Sequence, residues 1–363
     1  MLVKDSVGTI ESGGVFGNTA FIGHEQVVFC QDQETGLKAI IGIHSTVLGP
    51  ALGGTRMWNY NNEADAIRDV LRLSRGMTYK ASISGLNLGG GKAVIIGDSR
   101  QHKTDDLMRK FGQFVNSLSG RYITAEDVGI TTHDMEMVKM ETDHVTGIPV
   151  SMGGSGDPSP VTAYGVFMGM KAAAKYQFGT DDLRGKKVLV QGVGHVGETL
   201  VKYLTESGAK VMINDIHQDV LERIAGEYKA EIVSGNIYEQ DMDIYAPCAL
   251  GATVNDDTLA QLKCKVIAGA ANNQLADEVR HGEMCRQKGI VYAPDFLINA
   301  GGLINVYSEI AKYDSAEAFR RTENIFNTTL DLIHLAEERD ITTHRAALQM
   351  AEERVEKTRI EQK

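Results

Sequence analysis

The chain has 363 residues, 42% hydrophobic and 23% charged, with a formal net charge of -11. That length suits two domains with ordinary globular cores. The acidity disfavours phosphate backbones and anionic lipid, so no nucleic-acid and no membrane partner is expected.

No apolar run approaches the ~20 residues that span a bilayer. The opening MLVKDSVGTIESGGVFGNTAFIG lacks the apolar stretch of a signal peptide, which points to the cytoplasm. Cys30, Cys248, Cys264 and Cys285 are scattered without a CxxC and read as small core residues. The histidines show no ligand spacing. His133 and His144 come nearest to a cluster and read as ordinary polar residues, so no metal is expected.

In chain order, two strands come first, over residues 25–32 and 37–45, joined by the turn QETG. The glycine-rich LGPALGGTR follows. Ala66, Val70, Leu71, Leu73, Ser74 and Met77 then recur at helical spacing within residues 62–79. LNLGGGKAVIIGD reads as loop, strand and turn, and residues 104–118 as an amphipathic helix. A second unit opens in SGDPSPVTAYGVFMGMKAAAKY. There Ser159 is placed to cap a helix and Pro160 to fill its first turn, with the helix ending near Tyr176. Strand, glycine turn, helix and strand then alternate to about Phe296, the pattern of an α/β fold. The domains are set at residues 1–147 and 148–342, with a charged helix over 343–363 returning to the first half. No linker or internal repeat appears.

The clearest motif is KKVLVQGVGHVGETLVKYLTESGAKVMINDI, residues 186–216. A buried strand ends in Gly192-x-Gly194-x-x-Gly197, and a helix follows with Val196, Leu200, Val201 and Leu204 on one face. Asp215 closes the next strand about 20 residues on, the separation expected of a dinucleotide site. Gly192 allows the tight turn, Gly194 lets a pyrophosphate approach the backbone, and Gly197 lets helix and strand pack. The helix N-terminus attracts phosphate. Asp215 suits ribose hydroxyls and repels a 2′-phosphate, so NAD is the expected cofactor. His195, Val196 and Ile216 are counted with this set.

Three further pieces lie upstream: MTYK with Lys80, GGGK with Lys92, and AEDVG with Asp127. Three glycines beside a lysine suggest close approach of backbone to a ligand. They are not a phosphate-binding Walker loop, because Leu86 and Ala93 stand where that pattern needs glycine and a hydroxyl. Each piece alone has a plain alternative, a solvated lysine or an aspartate capping a helix. Their joint occurrence ahead of a dinucleotide fold is what suggests catalysis.

With LGPALGGTRMW, RGMTYK, GLNLGGGKAVIIGD, GRYITAEDVG, GDPSPVTAYG, QGVGHVG, APCALG and INAGGLINV in order, the chain resembles the glutamate, leucine, phenylalanine and valine dehydrogenase superfamily over nearly its whole length. It is most similar to that family's leucine dehydrogenase branch. The resemblance implies a two-domain α/β amino-acid dehydrogenase. An N-terminal α/β substrate and oligomerisation domain would precede a Rossmann-type dinucleotide-binding domain, with the active site in the cleft between them. It implies that Lys80 binds the substrate carboxylate, Lys92 is the catalytic lysine and Asp127 holds and deprotonates the substrate amine. Lys80 and the nearby glycine backbone should lower the pKa of Lys92.

The resemblance also sets specificity. Glutamate enzymes carry a lysine before the paired glycines, where Leu52 precedes Gly53 and Gly54, and a small polar residue where Val306 stands. With Leu52, Ala125, Leu303 and Val306 lining the pocket, a side-chain carboxylate would be buried without a partner. Leucine and its branched-chain relatives are therefore expected. A methylene separates these by only ~1–3 kcal/mol. Thr162 would contact the nicotinamide amide, and Ala249 and Asn272 the nicotinamide ribose and substrate. A homo-oligomer is implied, an octamer for the leucine enzymes. Phenylalanine or valine dehydrogenase with the same mechanism is the alternative, and a non-catalytic NAD-binding regulator a remote one.

Overall fold

The computed structural model describes residues 15–18 and 20–362, so the readings made on residues 1–14, on Thr19 and on Lys363 lie outside the described residues. The chain forms two compact units. One holds residues up to 82 together with 87–154, and the other holds 83–86 together with 155 onward.

In the first unit, β1 (Gln26–Gln31) and β2 (Lys38–Ser45) form an antiparallel hairpin. Its turn is closed by Asp32, whose carboxylate accepts the Thr35 N–H at 2.9 Å. The glycine-rich stretch contributes two short strands, β3 (Ala51–Leu52) and β4 (Thr55–Trp58). Then come α1 (Glu63–Ile83), which outruns the helical spacing read from the sequence, and β5 (Gly89–Ile96). α2 (Asp105–Ser117) starts where Thr104 accepts the Leu107 N–H. β6 (Tyr122–Ile123) and α3 (Thr132–Lys139) follow, the latter opened by a capping box between Thr131 and Asp134.

The sheet order is β1-β2-β5-β3-β6, and β4 also pairs with β5. β5 is thus central, antiparallel to β2 and parallel to β3 and β4. Alternation along it sorts side chains by face. Ala93 and Ile95 join Phe111 of α2 and Met135 of α3 in one core. Val94 joins Ala66, Val70 and Leu71 of α1 in another. Lys92, two residues before Val94, therefore points to the α1 side. The glycines before it belong to the strand and not to a loop. A Cβ on Gly90 would lie 2.1 Å from the Thr78 backbone nitrogen, and one on Gly91 2.6 Å from the Tyr122 ring. Their smallness serves packing within the protein, which corrects the ligand-approach reading.

The second unit begins with α4 (Ser159–Phe178). Ser159 is inside the helix and does not cap it. Pro158 occupies the cap, and the Ser159 N–H donates to Asp157 Oδ1 at 2.9 Å. Next come β7 (Lys187–Gln191), α5 (His195–Glu206), β8 (Lys210–Asn214), α6 (Gln218–Tyr228) and β9 (Glu231–Ile232). β10 (Ile244–Pro247), α7 (Asp256–Gln261), β11 (Val266–Ile267), α8 (Arg280–Gln287) and β12 (Val291–Tyr292) complete the winding. The sheet is parallel, in the order β12-β11-β10-β7-β8-β9. Its first strand lies in the middle and the order reverses between β7 and β10, the doubly wound arrangement with its crevice at the switch point.

The chain ends in α9 (Asp295–Ile298), α10 (Gly301–Ala311), α11 (Ser315–Glu323), α12 (Ile325–Glu338) and α13 (Thr343–Glu361). The sequence reading divides the chain at 147/148 and returns the last helix to the first half. In the structure the division falls at 154/155. Residues 149–154 close a turn in which the Gly154 N–H bonds Pro149 O, and this turn stays with the first unit. α13 does return to the first half of the sequence, where Arg354 Nη1 donates to Leu86 O at 2.8 Å; the stretch 83–86 that it meets clusters with it in the second unit. Among the described residues no helix is long and apolar enough to cross a membrane.

Candidate active site

β4 is laced to the chain after β6. The Thr55 N–H donates to Ala125 O at 2.8 Å, and the Met57 N–H to Val128 O at 2.9 Å. Thr55 and Thr124 share a hydroxyl hydrogen bond of 2.6 Å, and the Tyr122 hydroxyl donates to Gly53 O at 2.6 Å. This lacing sets Arg56 opposite Asp127. Lys92 arrives from β5, and its Nζ donates to Asp127 Oδ2 at 2.5 Å. Arg56 Nε reaches the same oxygen at 3.1 Å.

Lys92 is only 6% exposed. Burial pushes its amine below the usual lysine range. The Asp127 carboxylate opposes that push and the Arg56 guanidinium adds to it. The sequence reading laid the shift on Lys80 and the glycine backbone; desolvation comes first. For Asp127, burial acts to raise the carboxyl pKa, but Lys92 and Arg56 outweigh it and hold the group below its ordinary value. The result is an anionic oxygen next to an amine that holds its proton less tightly than an exposed lysine does. That pairing suits a reaction in which an ammonium is held and a proton removed.

Of the other residues assigned to substrate, Leu52 on β3, Gly53 and Gly54 just after it, and Ala125 just after β6 are all buried. Lys80 is half-buried in the last turn of α1. Leu303 and Val306 stand three residues apart on α10 in the second unit, one buried and one partly so.

The dinucleotide motif folds as its spacing requires. Gly192 has φ +95°, and a Cβ there would lie 2.7 Å from the Ala249 nitrogen. Gly197 is pressed onto Gly192 O, while nothing lies within 4 Å of a Cβ on Gly194. α5 starts at His195 without a side-chain cap, so the first N–H groups of His195, Val196 and Gly197 are left for an anion. Asp215 accepts the Val193 N–H on Oδ2 at 2.8 Å and the His217 N–H on Oδ1 at 3.1 Å. Partial burial raises its pKa, but these bonds and one from Ile216 prevail and keep it low. Ile216 is 91% exposed. Thr162 lies in the first turn of α4 with its hydroxyl on Pro158 O. Asn272 accepts through Oδ1 from Asn299 Nδ2 at 2.8 Å, which assigns its other amide atom as a donor. The open Gly194, the uncapped helix start and the anionic Asp215 fit a dinucleotide.

Residues 24–144 match a family model described as the Glu/Leu/Phe/Val dehydrogenase dimerisation domain. Residues 153–217 and 213–362 match the one described as Glutamate/Leucine/Phenylalanine/Valine dehydrogenase. The chain belongs to this family.

Relatives of this Glu/Leu/Phe/Val dehydrogenase include a leucine dehydrogenase of Bacillus subtilis, 56% identical over 93% of this chain and 92% of that protein. Another, from Bacillus cereus, is 57% identical over 92% of this chain and 91% of that protein. The crystal structure of L-tryptophan dehydrogenase from Nostoc punctiforme superposes with a TM-score of 0.85 at 46% identity, covering 93% of this chain and 97% of that one. The family motifs led to Lys92 and Asp127 but not to Arg56, Tyr60 and Asp69, which join them through side chains distant in sequence. Asp69 Oδ2 accepts Arg56 Nη1 at 3.0 Å and the Tyr60 hydroxyl at 2.7 Å. One signal was available. An arginine between buried Thr55 and Met57, in a strand paired to the central β5, needs anionic partners.

Proposed function

We propose that the chain catalyses the reversible NAD-dependent oxidative deamination of L-leucine and other branched-chain L-amino acids to 2-oxo acids and ammonia. The observation that carries this reading is the Lys92–Asp127 pair, its lysine buried and its aspartate partly so, with aliphatic Leu52 near it on β3. Lys80 binds the substrate carboxylate as a fixed cation. Asp127 holds the substrate ammonium and draws off its proton, because Cα can give up hydride only when the nitrogen lone pair is free to form the iminium. Lys92, unprotonated, then takes a proton from the water that attacks the iminium carbon. Asp127 then returns its proton to the nitrogen, the C–N bond breaks, and the carbonyl forms as the hydroxyl proton leaves with the ammonia; the reverse transfers lead to reductive amination.

Bound NAD supplies the acceptor for the hydride. Gly192, Gly194, His195, Val196 and Gly197 hold its pyrophosphate, Asp215 and Ile216 its adenosine, and Thr162, Ala249 and Asn272 its nicotinamide end. Leu52, Ala125, Leu303 and Val306 favour an aliphatic side chain, since an unpaired buried carboxylate is costly. A second reading, an aromatic amino acid as substrate, draws on the 46% identity to the tryptophan enzyme. We place the protein in the cytoplasm as a homo-octamer, the state the leucine branch implies. The match to a dimerisation domain supports self-association.

NADH formation by purified protein, measured with leucine, isoleucine, valine, phenylalanine, tryptophan and glutamate, tests the reading. Fast turnover confined to the branched-chain set is expected. A preference for the aromatic substrates replaces the substrate class, and glutamate turnover refutes the pocket argument. Silence across the panel with NAD still bound favours a non-catalytic NAD-binding regulator.

A further inference from the structure

Arg56 has no role in the chemistry described above, yet it ties Asp127 to the body of the first unit. Its Nε donates to Asp127 Oδ2, the oxygen that Lys92 also occupies, and its Nη1 donates to Asp69 Oδ2. Asp69 is braced by the Tyr60 hydroxyl at 2.7 Å and, through Oδ1, by Arg72 Nη2 at 3.3 Å. A row of alternating charges therefore runs Lys92, Asp127, Arg56, Asp69, Arg72. A planar guanidinium holds two carboxylates at fixed angles, which a lysine ammonium cannot do. Arg56 stands on β4 opposite Val94, and Asp69 on α1, so the brace rests on regular elements and not on the loop that carries Asp127. Both cations fall on Oδ2, and the carboxylate also accepts a hydrogen bond from the Val128 backbone.

We propose that Arg56, braced by Asp69, is a positioning residue of this reaction: it fixes Asp127 through Oδ2 and, as a permanent cation beside the pair, eases the loss of the Lys92 proton. The inference rests on the reading of Lys92 and Asp127 given under Proposed function. The charged groups around Lys92 agree with it. Arg56 on β4 lowers the Lys92 pKa, whereas Asp127 and Asp69 of α1 raise it. Burial pushes the phenols of Tyr60 and Tyr122 above their ordinary range, so they stay neutral at working pH. Lys80 follows Asp69 on the same helix.

The test is the pH profile of kcat/KM for leucine oxidation by the assembled enzyme with NAD. Arg56→Gln removes the cation, and the limb that reports Lys92 deprotonation moves up by about one pH unit. Arg56→Lys keeps the charge and leaves the limb near its wild-type position, while kcat falls because one ammonium cannot hold both carboxylates. Asp69→Asn removes an anion and moves the limb the other way. Opposite shifts on removing opposite charges do not arise from simple loosening. If Arg56→Gln does not fold, the Arg56→Lys and Asp69→Asn pair decides. A folded Arg56→Gln enzyme with an unshifted limb overturns the proposal, as do shifts of the same sign in Arg56→Gln and Asp69→Asn. Near-normal turnover in Lys92→Ala instead overturns the reading beneath it. An inactive Lys92→Ala with an Arg56→Gln profile that overlays wild type overturns the positioning role alone.

Discussion

Replacing Asp127 by asparagine leaves two cations facing a neutral amide. Lys92 approaches the carboxylate at 2.5 Å and Arg56 at 3.1 Å, with side-chain exposures of 8% and 24%. Breaking a buried pair by removing one partner costs roughly 3–5 kcal/mol. The lower end applies here, because Arg56 keeps Asp69 and Lys92 can escape by shedding its proton. A loss of about 3 kcal/mol near neutral pH is therefore expected, or roughly 6–12 °C in the Tm of a unit of this size. The loss has a pH signature. In the variant the folded-state pKa of Lys92 lies below its unfolded value, so between the two values the unfolded chain binds more protons and stability rises with pH. Below the lowered value the full penalty remains. Thermal melts of wild type and Asp127→Asn at about pH 7 and about pH 9.5 measure this. The gap in Tm should narrow on the alkaline side. No gap near neutrality, or a gap that widens with pH, would refute the electrostatic account of the pair.

Leu52→Lys, at a position 2% exposed, should cut kcat/KM for leucine by about 100-fold or more, read from initial rates, because an unpaired buried cation meets an aliphatic side chain. Gly192→Ala forces a side chain into φ +95° and onto Ala249, so NAD affinity should fall by about tenfold or more in a fluorescence titration, with a lower Tm. Asp215→Asn takes one acceptor from the Val193 and His217 N–H groups and removes the charge that disfavours a 2′-phosphate. The ratio of NAD to NADP affinity should fall by about tenfold, a difference of ~1.4 kcal/mol.

Much of this was legible in the sequence because the signals are local. Gly192, Gly194, Gly197 and Asp215 lie in one strand–turn–helix–strand stretch, so their spacing carries their geometry. The motifs around Lys92 and Asp127 drew attention to both, and the structure joins them. What depended on packing was harder to read. Gly89 to Gly91 resemble a ligand loop, but their Cβ positions are taken by neighbouring backbone and side chains, which no spacing reveals. Arg56, Asp69 and Tyr60 meet only because β4, α1 and the loop after β4 converge. Ser159 has the chemistry of a cap, but Asp157 accepts its N–H and the helix starts one residue earlier than that chemistry suggests. The domain boundary moved because a turn at 149–154 packs with what precedes it.

The most direct test is the initial rate of NADH formation from leucine by Lys92→Ala beside wild type, with NAD binding measured on the same samples. The account predicts a loss of about 1,000-fold or more in turnover, within the range a general base contributes, while NAD binds as before. Near-normal turnover would contradict it.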